Sequence, residues 1–542
     1  MPAPTTVSTG ALVARDVAKA YADRVVLDGV DVVAHPGRAL ALVGENGSGK
    51  STLLRLLAGL ESPDTGTVQR PDDLGHLGQD LDVPPETTVG EVLDAALAPL
   101  HDAVARLEAL AGQLDEPAVA DEYAALLDWA VHHDAWDATR RAEEAAARLG
   151  LAAVPRERPV GAMSGGQRSR LGLAALLVRR PDCLLLDEPT NHLDDEAVRY
   201  VEEVLRSLPG VVVVASHDRV FLDRVADQVL DLDPSHLGSD GAGARVHGRR
   251  DGLGAYSSFL ADRSSARRRW EEAFVAEQDE VARLREVAAT TARRVAPDRG
   301  PRDNDKFIYH SKGENVARTI SRRVRDNERR LEELLADPVP KPPAPLRFSG
   351  VLAPSSGGSV RVRDLVVPGR IALDRLDVLP GERVLLTGAN GSGKSTLLAA
   401  IAGRLSPAAA EAATGDVQVH ARRLGYLPQD AVFADPSRSA LQVYGGVVGA
   451  EAPPLRSLGL LHPRDTHRPV GELSLGQQRR VALACVVARG PDLVLLDEPT
   501  NHLSLALAEE LEEALQRSVG TVVGASHDRW LRGRWEGPVV GL

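Results

Sequence analysis

The sequence predicts an α/β protein: two copies of one domain type, each a mixed sheet core with a helical subdomain, joined by an antiparallel α-helical hairpin. Three observations predict it. One complete motif set occurs twice, strand-like apolar runs lead into a glycine-rich loop in each copy, and a long helical stretch lies between the copies. The first set reads GENGSGKST (44–52), Gln79, MSGGQ (163–167), LLLDEPTNHLD (184–194) and SHD (216–218). The second reads GANGSGKST (388–396), Gln429, LSLGQ (473–477), LLDEPTNHLS (495–504) and SHD (526–528). Ser164 stands as far before Glu188 as Ser474 stands before Glu498, and His217 follows Glu188 at the same spacing as His527 follows Glu498. A repeat held in one register over this length fixes the architecture before any other feature does.

In the first copy VVLDGVDVV (25–33) and ALALVG (39–44) read as strands, and STLLRLLAGL (51–60) as the helix that follows the loop. Strand, glycine loop and helix in that order form a phosphate-binding context. An Ala/Leu/Glu-rich stretch with helical periodicity then runs from Asp80 to about Leu151. The separation of Gln79 and Ser164 is almost twice that of Gln429 and Ser474, so the first domain carries a helical insertion at about 92–151. From Tyr256 to Arg294 neither Pro nor Gly occurs, and Trp270, Phe274, Val281, Leu284 and Val287 form a helical stripe. A second stripe follows through Val316, Ile320, Val324, Leu331 and Leu334, beyond the breaker-rich PDRGPRDNDKFIYHSKG (297–313). This predicts two antiparallel helices, the first over 256–294 and roughly 58 Å long. PVPKPPAP (338–345) reads as a stiff spacer. The expected domains are thus 1–250, 251–345 and 346–542.

A chain of 542 residues is too long for one hydrophobic core. With 43% apolar and 26% charged residues it reads as soluble, and no uncharged apolar run approaches the roughly 20 residues of a membrane-spanning helix. The N-terminus MPAPTTVSTGALVARD lacks the basic start and apolar run of an export signal, so a cytoplasmic protein is expected. The only cysteines, Cys183 and Cys485, sit in apolar runs and read as buried thiols of a reducing compartment. Only six of the 64 basic residues are Lys, yet both glycine loops keep one, Lys50 and Lys394, where a compact ammonium fits a phosphate cradle better than a guanidinium.

The chemistry follows from the residue types. In Gly44, Glu45, Asn46, Gly47, Ser48, Gly49, Lys50, Ser51 and Thr52, the glycines let backbone N–H groups converge on phosphate oxygens, aided by the helix N-terminus. Gly388, Ala389, Asn390, Gly391, Ser392, Gly393, Lys394, Ser395 and Thr396 repeat the arrangement. Lys50 and Lys394 suit the β and γ phosphates, and Ser51 and Ser395 offer hydroxyls to Mg²⁺. Asp187 and Asp497 end apolar strands, which puts a metal-binding carboxylate at each strand tip. Glu188 and Glu498 are candidates to polarise an attacking water, with His217 and His527 aimed at the γ-phosphate and Gln79 and Gln429 bridging metal and water.

These residues closely resemble the ATP-binding cassette superfamily, whose signature matches Ser164, Gly165, Gly166 and Gln167 in one copy and Ser474, Gly476 and Gln477 in the other. The resemblance implies two P-loop cassettes that close head to tail on ATP and Mg²⁺. Lys50, Gln79, Glu188 and His217 would then face Ser474 and Gly476, while Lys394, Gln429, Glu498 and His527 would face Ser164 and Gly166. A monomer suffices for this pairing, because one chain supplies both cassettes at high local concentration. The resemblance also gives Tyr21 the adenine-stacking place; DLVVPGRIALDRL (364–376) offers no aromatic equivalent. Ser504 replaces an Asp that lines the inter-cassette contact in the family, so unequal sites that both hydrolyse ATP are expected.

With EPTNHL and SHDR in both halves and a basic hairpin between them, the chain resembles the ABC-F family of ribosome-associated ATPases. Residues 293–330 hold twelve basic and six acidic side chains in a chain of net charge −13. The resemblance implies that the hairpin enters the ribosome and contacts P-site tRNA and rRNA, through Arg302, Lys306, Phe307, Tyr309, His310, Lys312, Arg322 and Arg323. Such contacts bind phosphates with little sequence preference and weaken with salt; Phe307, Ile308, Tyr309 and His310 either stack on bases or pack the hairpin end. RGPRDNDKF and GENVARTISRRVR (299–307 and 313–325) look most like the macrolide-resistance branch of actinomycetes. Two other roles stay open: a housekeeping translation factor of the same family, and the ATPase subunit of a transporter with a separate membrane protein.

Overall fold

The structure is a computed structural model. It describes residues 10–21, 24–44, 47–78, 81, 83–191, 193–232, 245–250, 252–294, 322, 325–336, 338–341, 352, 357–388, 391–429, 431–449, 452–500, 503 and 505–542. Both copies of the repeat lie in one compact unit, and the chain from Phe259 onward through the intervening segment forms another.

In the first copy the main sheet runs in the order Leu74–Leu77, Cys183–Asp187, Val211–Ala215, Ala39–Val43, Gln228–Asp231 and Arg245–Gly248. All neighbours are parallel except the last pair. Every residue of Ala39–Val43, Cys183–Asp187 and Val211–Ala215 is buried, as expected of parallel strands covered on both faces. Valines and leucines at consecutive positions therefore serve these strands better than alternation would. A second sheet, ordered Arg24–Ala34, Leu12–Tyr21 and Thr65–Gln69, is antiparallel.

The second copy repeats this with a five-stranded parallel sheet, Leu424–Leu427, Leu493–Asp497, Thr521–Ala525, Arg383–Thr387 and Val539–Gly541. Its antiparallel sheet is Ile371–Val378, Ser359–Val367 and Thr414–His420. The hairpins differ. Leu12 pairs with Ala34 and Tyr21 with Arg24 across several register shifts, whereas Val360 pairs with Val378 and Val367 with Ile371 in unbroken register. The second hairpin is therefore shorter, and the tip that carries Tyr21 in the first copy has no counterpart.

The insertion of the first copy is helical, as its periodicity predicts: Val89–Leu110 and Ala138–Arg148 pack with Gly165–Arg179, and Pro117–His132 packs with Val89–Leu110. Thr88 and Glu91 close a capping box on the first of these, and Leu100, Leu107, Leu126 and Trp129 are buried in the subdomain. In the second copy one helix, Ala440–Val447, and three short 3₁₀ turns precede Leu475–Ala488.

Between the copies a single helix of 40 residues spans Ala255–Arg294, against the expected 256–294. Val281 and Leu284 of the stripe are buried, and Trp270, Phe274 and Val287 are half-buried. Residue 322 and residues 325–336 are helical. The returning chain lies beside the first helix, where Trp270 Nε1 donates to the Pro340 carbonyl at 2.9 Å and the Val339 N–H donates to Glu277 at 3.0 Å. The unit boundary at Phe259 falls inside the long helix, beyond the break in composition at 251. Helical periodicity runs through that boundary, so the sequence holds no signal for it.

Candidate functional site

The two glycine loops share one backbone geometry. Gly44, Gly47 and Gly49 have φ of 154°, 84° and 97°; Gly388, Gly391 and Gly393 have 145°, 86° and 98°. A Cβ on Gly49 would lie 2.7 Å from the Leu27 side chain, and one on Gly393 would lie 2.6 Å from the Arg370 carbonyl oxygen. Only glycine fits such a close approach at positive φ. The helices Lys50–Ala58 and Lys394–Ile401 begin directly after these loops, and no side chain caps the first N–H groups of either. A glycine loop leading into a helix N-terminus is the setting in which backbone N–H groups bind an anion. Lys50 Nζ donates to the Gly44 carbonyl at 2.9 Å and Lys394 Nζ to that of Gly388 at 3.0 Å, so each buried ammonium is folded into its own loop. Inside the first loop the buried Ser48 hydroxyl has no hydrogen-bond partner.

The carboxyl ends of the parallel strands place the remaining groups beside each loop, as the fold dictates for ligands of open α/β sheets. Asp187 and Asp497 are the last residues of their strands and both are buried. Glu188 and Glu498 come next with φ of 51° and 50°, left-handed values that cost a non-glycine residue about 1–2 kcal/mol. Each is held there by its N–H, which donates at 2.8 Å to Ala215 and Ala525 respectively. The same strain recurs at the hairpin pair Asp16 and Asp364, with φ of 50° and 46°, so it is the place of Glu188 and Glu498 in the lining of the cavity beside the glycine loops that makes them candidates.

The histidines grip these carboxylates. The His217 N–H donates to Glu188 at 3.2 Å and its Nε2 lies 3.3 Å from the same carboxylate. The His527 N–H donates to both Glu498 oxygens at 3.1 Å, with Nε2 at 3.6 Å. Burial raises the Glu188 carboxyl to about 8 against the opposing pull of Lys50, and the Glu498 carboxyl to about 7 against the His527 N–H. Burial, with the Lys394 charge next, lowers His527 to about 4. Burial also lowers Lys394. A carboxylate with raised proton affinity next to a phosphate cradle can accept a proton from a water molecule.

Ser164 and Ser474 are the N-caps of Gly165–Arg179 and Leu475–Ala488, each in a reciprocal capping box with Gln167 or Gln477. The glutamines thus hold the signature turn, and Gly165 and Leu475 stay exposed at its apex, Leu475 at 70%. A cavity of about 1300 Å³ brings groups of both copies together. Its lining includes Gly47, Gly49, Lys50, Ser51, Thr52, Asp187, Glu188 and His217 from the first copy, with Ser474 and Gly476 from the second. Gly391, Gly393, Lys394, Ser395, Thr396, Gln429, Glu498 and His527 line it too, whereas Ser164 and Gly166 do not. Tyr21 stands at its rim, exposed, with its hydroxyl donating to Glu61. At the corresponding hairpin turn of the second copy Gly369 and Arg370 line the cavity instead.

Several expected residues lie outside the described ones: Glu45, Asn46, Gln79, Ala389, Asn390, Ser504, Arg302, Lys306, Phe307, Tyr309, His310, Lys312 and Arg323. Arg322 is described, helical and exposed.

A set of ion pairs between the copies escaped sequence reading. Arg219 pairs with Glu512 at 3.2 Å, and Arg529 pairs with Glu202 at 2.5 Å and with Asp218 at 3.0 Å. Arg224 and Arg534 hold the same glutamates from within their own copies, at 2.9 and 3.7 Å. The arrangement is reciprocal: the arginine after each SHD reaches a glutamate of the other copy, and Glu202 stands to Glu188 in sequence as Glu512 stands to Glu498. The shared register was the available signal, since SHDR and both glutamates recur in step.

Comparisons with known proteins agree with the repeat. The family model described as ABC transporter matches residues 27–191 and 374–501. The chain is 41% identical to tylosin resistance ATP-binding protein TlrC of Streptomyces fradiae, over 96% of this chain and 95% of that protein. It is 31% identical to energy-dependent translational throttle protein EttA of Mycobacterium tuberculosis, over 96% and 91%. Among solved structures, archaeal ribosome recycling factor aABCE1, in complex with ribosomal stalk protein aP1, aligns with a TM-score of 0.55 at 20% identity, over 95% of this chain and 85% of that one. Among the described residues no helix is long and apolar enough to cross a membrane.

Proposed function

We propose, for a chain that belongs to the ABC-F branch of the ATP-binding cassette superfamily and is therefore an ATPase, that it works on the ribosome and confers resistance to an antibiotic of the large subunit. In this reading the ATP-closed form binds the ribosome, the domain between the cassettes sits near P-site tRNA, and hydrolysis ends the engagement. The observation that carries it is the 41% identity, end to end, with a protein named for tylosin resistance. A transporter subunit would not call for a 40-residue helix between its cassettes. The place of action would be the cytoplasm, and the acting form a monomer.

Two ATP sites are proposed, one on each glycine loop. At the first, Lys50 and the loop N–H groups bind the triphosphate, Glu188 accepts the proton of the attacking water, and His217 orients that carboxylate through its backbone N–H. Ser474 and Gly476, which line the same cavity, would close over the nucleotide. Lys394, Glu498 and His527 play the same parts at the second site, with Ser164 and Gly166 as the closing signature. The residues fit a divalent cation: Ser51 and the buried strand-tip Asp187 line one cavity with Ser395 and Gln429, the buried Asp497 ends the equivalent strand, and the Ser48 hydroxyl of the first loop is buried without a partner. Mg²⁺ would be held by Ser51, Gln79 and Asp187, and by Ser395, Gln429 and Asp497. It supplies charge neutralisation between the phosphates.

The test changes Glu188 and Glu498 together to Gln. The expected result is co-sedimentation with ribosomes in ATP and loss of the complex in ADP. Pelleting with membranes and not ribosomes would refute the reading. Expression in a sensitive host should raise the inhibitory concentration of a macrolide, lincosamide or streptogramin, and removal of 305–312 should abolish the effect. Ribosome binding without any such shift would favour a housekeeping translation factor, a role consistent with the likeness to the translational throttle protein.

A further inference from the structure

We infer that Arg532 is a positioning residue of the second ATP site, acting through an ion pair with Asp195 that the first site cannot form. Arg532 Nη1 and Nη2 each meet a different Asp195 oxygen at 2.6 Å, a bidentate fork across the two cassettes. Arg532 lies shortly after His527, in the short helix Arg529–Gly533, and Asp195 opens the helix Asp195–Ser207 that follows Glu188. Asp195 lines the cavity together with His527, Arg529 and Lys394.

The inference rests on a break in symmetry. The sequence offset that carries Glu188 to Glu498 also carries Arg219 to Arg529, Arg224 to Arg534 and Glu202 to Glu512. Applied to the fork, it carries Leu222 to Arg532 and Asp195 to Leu505. Both counterparts are leucines, so no ion pair can form there. The rest of the network leans the same way. Arg529 meets Glu202 at 2.5 Å where Arg219 meets Glu512 at 3.2 Å, and Arg224 meets Glu202 at 2.9 Å where Arg534 meets Glu512 at 3.7 Å.

The element that carries His527 is thus tied to the acidic start of a helix in the opposite cassette, and the element that carries His217 is not. Parting of the cassettes breaks the fork and frees the His527 element, so the second site is fully arranged only in the closed state. An ion pair of this exposure, 23% for Arg532 and 51% for Asp195, shifts an equilibrium by up to about five-fold, and bidentate geometry puts it toward the upper end.

The test uses the full chain in two backgrounds: Glu188→Gln, in which turnover reports the second site, and Glu498→Gln, in which it reports the first. Arg532→Ala should lower kcat three- to five-fold in the first background and leave it within a factor of 1.5 in the second, with KM for ATP little changed in both. Arg532→Lys should recover part of the loss and the charge swap Arg532→Asp with Asp195→Arg most of it, which also controls for misfolding. Equal losses in both backgrounds, or none in either, would overturn the inference. It rests on the two-site ATPase reading; turnover that survives Glu188→Gln and Glu498→Gln combined would refute that reading, an outcome separate from a missing Arg532 effect.

Discussion

Removing Arg219 tests the clasp between the copies where it is most deeply buried. Its side chain is 2% exposed and that of Glu512 is 4%, with 3.2 Å between them. Breaking such a pair by deleting one partner costs about 3–5 kcal/mol, since the other charge stays buried. Here the loss depends on pH. Burial already raises the Glu512 carboxyl to about 7 even though Arg219 pulls it down. From the ordinary value of 4.5, that rise means the site disfavours the ionised form, relative to the neutral one, by about 3 kcal/mol more than water does. The sign follows from the direction: a group with raised folded-state pKa contributes its stability below about 4.5 and loses it as pH rises through about 7. Arg219→Met removes the charge that opposed the rise, so Glu512 takes up a proton at still higher pH. Urea unfolding of the full chain should show a loss of about 3 kcal/mol at pH 8 and a clearly smaller loss at pH 6. Adding Glu512→Leu should return most of the stability and remove the pH difference. Equal losses at both pH values, or a double variant as weak as the single one, would refute the assignment of the clasp.

Three further outcomes are expected. Glu188→Gln and Glu498→Gln together should reduce phosphate release by at least about 100-fold while filter binding still detects bound ATP. Gly393→Ala should impair nucleotide binding more than Gly49→Ala, because its Cβ meets the Arg370 backbone at 2.6 Å while that of Gly49 meets the flexible Leu27 side chain at 2.7 Å; equilibrium titration with a fluorescent ATP analogue compares them. Burial raises the Cys183 thiol to about 12 and the Cys485 thiol to about 11, so neither should react with iodoacetamide at pH 8 until the chain unfolds, which intact mass spectrometry reads directly.

The residues of the two glycine loops and strand tips were legible because their places force particular residue types. A loop at φ near 97° must be glycine, and a buried parallel strand must be apolar up to the carboxylate at its tip. The long helix was legible for the same reason, through an unbroken run from Tyr256 to Arg294 without Pro or Gly. Arg532 and Asp195 were not legible, and Arg219, Arg529, Glu202 and Glu512 only through their recurrence in register, because a charged residue on a helix usually faces solvent and its partner here is far away in the chain, in the opposite copy. Nor does the sequence show that Glu188 and Glu498 adopt left-handed backbone, since that strain is imposed by the neighbouring strand through Ala215 and Ala525.

The place where the copies diverge follows from the same physics. Both glycine loops are moulded to one ligand group, and their φ angles agree closely, 154° against 145° at the most divergent pair. The faces between the cassettes are moulded to each other, and a change on one face needs an answer only on the other. Leucine can therefore stand at 222 and 505 while Arg532 and Asp195 form a fork at the equivalent places, with both cradles intact. The shortened second hairpin is a change of the same type, confined to one rim of the cavity, where Gly369 and Arg370 replace the tip that carries Tyr21. The structural differences between the copies thus lie around the glycine loops, and experiments that separate the two proposed sites should target Arg532, Asp195 and the hairpin tips before the loops themselves.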